Sequence, residues 1–143
     1  MPYVIGLDYG SLSCRGILAD VRNGCILAES EASYPHGVLT EHLPDGTTLA
    51  GSWCLQHPQD YLTVLDQILP QLLSKSMIDP DAIIGIGVDF TASTVIPLDA
   101  QYKPLCNTYP SRPHAWPKLW KHHGAQAQAE KLTSLCETDE PDY

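Results

Sequence analysis

The apolar positions at the start of the chain follow the pattern of a β-meander. Short runs rich in apolar residues predict three strands, at residues 4–7, 16–20 and 25–34. Gly10 and the Asn23-Gly24 pair predict the turns between these strands, because glycine and asparagine tolerate the backbone conformations that tight turns require. The chain therefore begins with three consecutive, hairpin-connected strands.

Residues 35–57 interrupt this pattern. They contain several glycine and proline residues and few regularly spaced apolar ones, which predicts an irregular excursion over the surface. Loops of this length are often lids or partner contacts, and a tolerated insertion is the other interpretation. The pattern leaves both interpretations open.

A helical pattern begins at Pro58, which suits the first turn of a helix. Apolar side chains then recur three and four residues apart and predict one buried face, made of Tyr61, Leu62, Leu65, Ile68, Leu69, Leu72 and Leu73. Pro70 lies inside this pattern. We expect it to kink or divide the helix, because proline supplies no amide N–H and clashes with the preceding turn.

The second half of the chain predicts further strands and one more helix. Residues 83–90 are nearly all apolar before Asp89, as in a central strand covered on both faces. Residues 95–98 predict another strand, and residues 117–135 predict a second helix. Strands followed by a helix, a strand and a helix predict an α/β domain with a mixed sheet.

Composition narrows the class of protein. With 143 residues, 43% of them hydrophobic, the chain can bury one core without disulfides or a structural metal. The formal net charge of -9 would repel a nucleic-acid backbone, so we exclude nucleic acid as the main partner. Five cysteines without C-x-x-C spacing indicate reduced thiols. No signal-peptide pattern or membrane-length apolar run is present, so we expect a cytoplasmic protein without a membrane partner.

The turn after the first predicted strand has the chemistry of a phosphate site. Asp8 stands at the end of an apolar run, and the residues that follow at the same rim are Gly10, Ser11, Ser13 and Arg15. Mg²⁺ usually takes one or two protein carboxylates, while turn amides, hydroxyls and an arginine can bind phosphate oxygens. The alternative is an ordinary hairpin in which Asp8 only accepts hydrogen bonds from the turn.

Three segments resemble the carbohydrate kinases that are named after a Phe-Gly-Gly-Tyr signature. Residues 6–15 (GLDYGSLSCR) resemble the first phosphate motif of that family. Residues 85–94 (GIGVDFTAST) are similar to the sugar-binding strand of its ribulokinase members. Residues 113–123 (PHAWPKLWKHH) are similar to the segment that opens the next helix in those members. The order and spacing of the three segments match the family from about residue 4 to residue 128.

The resemblance implies a kinase that uses ATP and Mg²⁺ to phosphorylate L-ribulose, a small sugar, in L-arabinose catabolism. It implies a ribonuclease-H-like fold of the actin and sugar-kinase type, a mixed sheet with flanking helices. Residues 1–143 would form an incomplete N-terminal lobe, and the catalytic base and the C-terminal lobe would lie outside this chain. The alternatives are a kinase for another pentulose or polyol, and a noncatalytic domain that binds sugar or a partner subunit.

The same resemblance assigns roles to individual residues. Asp8 takes the carboxylate position near magnesium, and the ATP phosphate-facing turn consists of Gly10, Ser11, Ser13 and Arg15. The sugar pocket is lined by Thr91, Ala92 and Ser93, whose small side chains suit alternative pentuloses. To these we add Trp116, at the start of the predicted helix, in preference to Trp120.

Several side chains have a second interpretation. Asp89 is either a site residue or a cap for the turn after its strand. Cys14 is either inert packing or a thiol whose pKa Arg15 lowers. We do not expect His114, His122 and His123 to bind metal, because adjacent histidines on a helix point in different directions.

The missing lobe has a consequence for the surface of the chain. We expect exposed apolar surface around Trp116, Trp120 and residues 35–57, where the other half of the cleft would pack. Such a surface leaves the formation of homo-oligomers open.

Overall fold

The computed structural model describes residues 1–138 as a mixed β-sheet with a long helix packed on one face. The strands are β1 (Tyr3–Tyr9), β2 (Ser13–Asp20), β3 (Ile26–Ser33), β4 (Val38–Leu39), β5 (Leu55–Gln56) and β6 (Ile83–Phe90), and the helices are α1 (Pro58–Ser76) and α2 (Gln126–Thr138). In the main sheet β1, β2 and β3 form an antiparallel meander and β6 lies parallel to β1, in the order β3-β2-β1-β6. The predicted meander and mixed sheet are confirmed.

Helix α1 covers β2 and β3. Its residues Val64, Ile68 and Leu72 are fully buried against the apolar side chains of these strands, while Leu62, which the pattern placed on the buried face, is exposed. Gly16 on β2 lets the helix approach closely, because a Cβ at this position would overlap with Ile68 Cγ2. This layer forms the main core.

The expectation that Pro70 divides the helix is wrong. Helix α1 runs without interruption from Pro58 to Ser76. Pro70 is exposed, on the side away from the sheet, where water can hydrate the carbonyl that lacks an amide partner. The helix ends at Met77, whose left-handed conformation (φ 55°) closes it with a hydrogen bond from its N–H to the Leu73 carbonyl.

Residues 35–57 are more than an irregular surface excursion. They contain β4 and β5, which pair with each other, and they bury three leucines in a second core. This second core consists of Leu43, Leu49, Leu55, Cys106, Ala115 and Trp116. Two single-turn 3₁₀ helices, Leu105–Asn107 and Pro113–Ala115, supply Cys106 and Ala115, and Trp116 follows directly after the second. A third 3₁₀ helix, Pro80–Ala82, precedes β6.

The second helix begins later than its apolar pattern predicts. The prediction is wrong for residues 117–125, because α2 starts at Gln126. The segment after Trp116 is extended, and its backbone pairs with other parts of the chain: Pro117 O accepts from Gln56 N, Lys118 exchanges two hydrogen bonds with Val95, and Leu119 N donates to Cys54 O. These tertiary hydrogen bonds take the place of a helical ladder. No helix within residues 1–138 has the length and apolar character needed to cross a bilayer.

Strand β6 differs from the central, doubly covered strand that its composition predicts. It is the outer strand of the described sheet, and Ile86, Val88 and Phe90 are all more than half exposed. Helix α1 packs mainly on β2 and β3, at the other end of the described sheet from β6. The predicted strand at residues 95–98 is also wrong, since Val95 and Leu98 form only isolated bridges, to Lys118 and Pro104.

Candidate functional site

Four charged side chains form a row across the sheet face opposite α1. Strand register pairs Asp8 on β1 with Arg15 on β2 and with Asp89 on β6, and it pairs Arg15 with Glu31 on β3. Residues directly opposite each other on neighbouring strands point to the same face. The row therefore reads Glu31, Arg15, Asp8, Asp89, and all four side chains are exposed.

Glu31 organises one end of this row. Its Oε1 accepts a hydrogen bond from Ser13 Oγ at 2.8 Å and one from Arg15 Nε at 3.4 Å. The Ser13 hydrogen bond, followed by the positive charge of Arg15, holds the pKa of Glu31 below its usual value. Glu31 was not among the predicted site residues, because only strand pairing brings it next to Ser13 and Arg15, which precede it by 18 and 16 residues.

The predicted phosphate residues converge on one concavity. It has a volume of about 500 Å³, and its lining includes all five predicted residues: Asp8, Gly10, Ser11, Ser13 and Arg15. Gly10 provides a close backbone approach rather than a left-handed conformation, since a Cβ there would lie 3.2 Å from the Ser13 carbonyl oxygen, whose partner is the Gly10 N–H. Their roles in binding ATP and Mg²⁺ stay predictions.

The predicted sugar residues line a second depression. Thr91, Ala92 and Ser93 share a concavity of about 390 Å³ with Trp120. Ser93 has a positive φ of 60°, an uncommon backbone conformation for a residue other than glycine. Residues held in such conformations cluster at functional sites, and the sequence contains no signal for this one.

Of the two tryptophans, the structure places Trp120 at this depression and Trp116 elsewhere. Trp116 is 4% exposed and belongs to the second core, where its Nε1–H donates to the Pro110 carbonyl at 2.8 Å. Trp120 is 51% exposed and its Nε1–H donates to Ser11 Oγ at 3.0 Å. The preference for Trp116 rested on the predicted helix, which does not form there. Trp120 thus links the turn at Ser11 to the depression lined by Thr91, Ala92 and Ser93.

The alternatives for Asp89 and Cys14 have different outcomes. Asp89 Oδ1 accepts a hydrogen bond from the Phe90 N–H at 2.9 Å, and its register places it beside Asp8, so features of both interpretations are present. Cys14 is fully buried, and burial raises the pKa of its thiol to about 11, with the charge of Asp8 adding to the effect. The interpretation of Cys14 as an activated thiol is wrong.

Two of the histidines named in the sequence contact a tryptophan ring. His114 and His122 pack edge-on against Trp53, with ring centroids 4.8 and 4.7 Å from it. The described part of the chain brings metal-ligating groups together elsewhere, at His36, His57 and Asp60.

Those three groups have a structural role. His36 Nδ1 lies 2.7 Å from Asp60 Oδ1, and His36 N–H donates to Asp60 Oδ2 at 2.9 Å. His57 Nδ1 accepts from Gln59 N–H and caps α1. Because both Asp60 oxygens are already bonded to His36, the cluster anchors the start of residues 35–57 to the first turn of α1.

The arrangement of the sheet and helix α1 is the one found in the matching part of solved sugar kinases. Gluconate kinase from Lactobacillus acidophilus superposes with a TM-score of 0.71 and 19% identity, over 93% of this chain and 22% of that chain. Xylulose kinase from Lactobacillus acidophilus superposes with a TM-score of 0.71 and 19% identity, over 94% and 23%. The predicted ribonuclease-H-like sheet of the sugar-kinase type is confirmed.

The family follows from sequence similarity. The N-terminal domain of the FGGY family of carbohydrate kinases matches residues 3–138, so the chain belongs to this family. The ribulokinase of Halalkalibacterium halodurans is 46% identical over 138 residues, and that of Geobacillus thermodenitrificans is 47% identical over 137. Both matches cover 94% of this chain and 24% of the relative. The chain thus spans about a quarter of the length of these curated relatives.

Proposed function

We propose that this chain is the N-terminal part of an ATP-dependent L-ribulokinase, a cytoplasmic enzyme that phosphorylates the terminal hydroxyl of L-ribulose in L-arabinose catabolism. The main support is the hydrogen bond between Trp120 and Ser11, which joins a phosphate-type concavity to a depression lined by Thr91, Ala92 and Ser93. The ribulokinase relatives support the choice of sugar.

Asp8 and Asp89 fit a hydrated magnesium ion. They lie on adjacent strands, whose spacing is about 4.8 Å, and both carboxylates are exposed on the open face. Mg²⁺ keeps several of its waters and commonly uses one or two carboxylates, which is what this pair offers. The ion, when bound, would neutralise phosphate charge.

The charge of the row supports a requirement for a divalent cation. Three carboxylates, on Asp8, Glu31 and Asp89, stand beside one guanidinium, on Arg15. This face would repel a triphosphate alone more strongly than one that carries Mg²⁺, because the ion cancels part of the phosphate charge.

Arg15 would contact the transferred phosphate. Its ion pair with Glu31 is long, at 3.4 Å, and both side chains are more than half exposed. Surface pairs of this kind contribute little to stability, so a phosphate group can draw Arg15 away from Glu31 at small cost. The planar guanidinium would then bind two phosphate oxygens together and orient the phosphate.

The sugar would occupy the depression beside Trp120. Thr91 and Ser93 offer hydroxyls, Ala92 leaves space, and the exposed indole offers an apolar wall for the carbon-bound hydrogens of a sugar. The Trp120 hydrogen bond to Ser11 would hold this wall at the boundary of the phosphate turn.

An ADP-release assay with L-ribulose, D-xylulose or glycerol, ATP and Mg²⁺ tests the proposal. We expect the full-length protein to release ADP only when a sugar is present, with the highest kcat/KM for L-ribulose. We expect no turnover by the 143-residue chain alone, because phosphoryl transfer depends on positioning by both walls of a cleft.

Other results of the ADP-release assay would contradict this proposal in different ways. A higher kcat/KM for D-xylulose or glycerol would retain the kinase and replace its substrate. No sugar-dependent turnover by the full-length protein would support the noncatalytic domain. Turnover by the short chain near the full-length rate would contradict the two-lobe interpretation.

A further inference from the structure

A buried glutamine on β5 lies behind the phosphate turn. Gln56 is 2% exposed, its Nε2–H donates to the Ser11 carbonyl at 2.9 Å, and its Oε1 accepts from the Tyr61 hydroxyl at 2.7 Å. A carbonyl oxygen only accepts hydrogen bonds, so the amide nitrogen must be the atom that faces Ser11. Both ends of the Gln56 amide are therefore committed, one to the turn and one to helix α1.

Gln56 is one of two residues that hold the carbonyl groups of the turn. The Gly10 carbonyl accepts from the Tyr34 hydroxyl at 3.0 Å, and the Leu12 carbonyl accepts from Tyr34 N–H at 2.9 Å. The Ser11 carbonyl between them is the one that Gln56 holds. Three consecutive carbonyl groups thus point into the protein.

The direction of these carbonyls sets the direction of the amides. In a planar trans peptide the N–H points opposite to the C=O of the same unit. Since the Gly10 and Ser11 carbonyls point inward, the N–H groups of Ser11 and Leu12 point toward the open side. Successive amides aimed at one region make an anion-binding concavity, and this region is the one lined by the predicted phosphate residues.

The backbone of Gln56 is attached to the sugar side. Its N–H donates to the Pro117 carbonyl at 3.0 Å, three residues before Trp120. Trp120 in turn donates to Ser11 Oγ. Ser11 is therefore held at its carbonyl by Gln56 and at its hydroxyl by Trp120, and these two residues belong to segments that are hydrogen-bonded to each other.

We propose that Gln56 is a positioning residue of the phosphate turn: its buried amide fixes the Ser11 peptide so that the Ser11 and Leu12 amides face the nucleotide. This inference rests on the proposed function for the identity of the bound phosphate. It adds to the predicted phosphate residues a buried residue from a distant strand, which acts through the Ser11 backbone.

The test compares two variants of the full-length protein. Tyr61→Phe removes the partner of Gln56 Oε1 and keeps the amide donor to Ser11. Gln56→Met in the Tyr61→Phe background also removes that donor, and it leaves no buried hydroxyl without a partner. The comparison between the two isolates the hydrogen bond to Ser11.

We expect the double variant to lose about 10- to 100-fold in kcat/KM for ATP relative to Tyr61→Phe, since small displacements at a site cost this much. KM for the sugar should change less than KM for ATP. Hydrogen–deuterium exchange at residues 10–13 should be faster in the double variant, and binding of Mg·ADP should be weaker. If Gln56 contributed only to stability, its replacement would lower the melting temperature without raising KM for ATP more than KM for the sugar.

Equal kcat/KM for ATP and equal exchange at residues 10–13 in the two variants, both folded at the assay temperature, would overturn the inference. If the double variant does not fold, Gln56→Leu in the Tyr61→Phe background gives the same comparison, because leucine also lacks the amide donor to Ser11. If the wild type phosphorylates no sugar, the proposed function fails, while exchange and Mg·ADP binding still decide the role of Gln56.

Discussion

Replacing Gly16 with alanine should push helix α1 away from strand β2 and destabilise the fold. The added methyl group would overlap with Ile68 Cγ2 and lie 3.1 Å from Leu72 Cδ1, both on fully buried side chains. Carbon atoms in contact are ordinarily about 3.5–4.0 Å apart, so the helix or the strand must move. Overpacking of this kind costs about 1–3 kcal/mol. The lower backbone entropy of alanine in the unfolded chain returns about 0.4–1 kcal/mol, so the overlap dominates.

Urea unfolding of the 143-residue chain, followed by circular dichroism, measures this effect. With a slope of about 2 kcal/mol per M, a net loss of about 1–2 kcal/mol lowers the midpoint by about 0.5–1 M. Gly85→Ala is the matched control, because a Cβ at Gly85 meets nothing within 4 Å and the residue has no positive φ. A Gly16→Ala midpoint equal to that of Gly85→Ala would refute the proposed close contact between β2 and α1.

Two further predictions concern the site in the full-length protein. Asp8→Ala should lower kcat by about 10²- to 10³-fold, the effect of losing one electrostatic group at a transition state, with little change in melting temperature because Asp8 is exposed; unchanged turnover at saturating Mg²⁺ would exclude a role near the metal. Ala92→Met should raise KM for L-ribulose more than KM for ATP, since the longer side chain would enter the sugar-side depression, and equal changes in both constants would place Ala92 outside it.

The elements that sequence predicts correctly are those with a local signal. The meander has turn residues at both connections, and α1 combines an apolar period with Pro58 at its first turn. The segment at residues 117–125 shows the opposite case. Its apolar spacing fits a helix, but its backbone forms hydrogen bonds with Cys54, Gln56 and Val95, and a local sequence pattern cannot predict such distant partners.

The same distinction applies to the site. The residues from Asp8 to Arg15 belong to one hairpin. Their closeness in the sequence therefore predicts that they lie at the same rim of the sheet. Glu31 and Gln56 reach this rim from other strands, and neither stands in a recognisable motif. The position of Trp120 beside Ser11 could not be predicted, because the sequence predicts a helix over residues 117–125 that the structure does not have.

The sequence of strand β6 contains an alternating pattern that distinguishes an exposed strand from a doubly covered one. Counting glycine as apolar makes residues 83–90 look continuously hydrophobic, but large residues alternate with small or charged ones after Gly85. Register places Gly85, Gly87 and Asp89 on the face of Asp8, and Ile86, Val88 and Phe90 on the face of α1. The two glycines keep the site face bare beside the charged row, where a nucleotide and its cation would need room. The three large side chains leave the opposite face apolar and exposed, which is the chemistry of a surface that packs against protein. We expected exposed apolar surface around Trp116, Trp120 and residues 35–57. Trp120 is exposed, Trp116 is buried, and β6 adds three exposed apolar side chains that the sequence did not predict. The two open faces of this strand therefore differ, because one carries the charged row and the other is apolar.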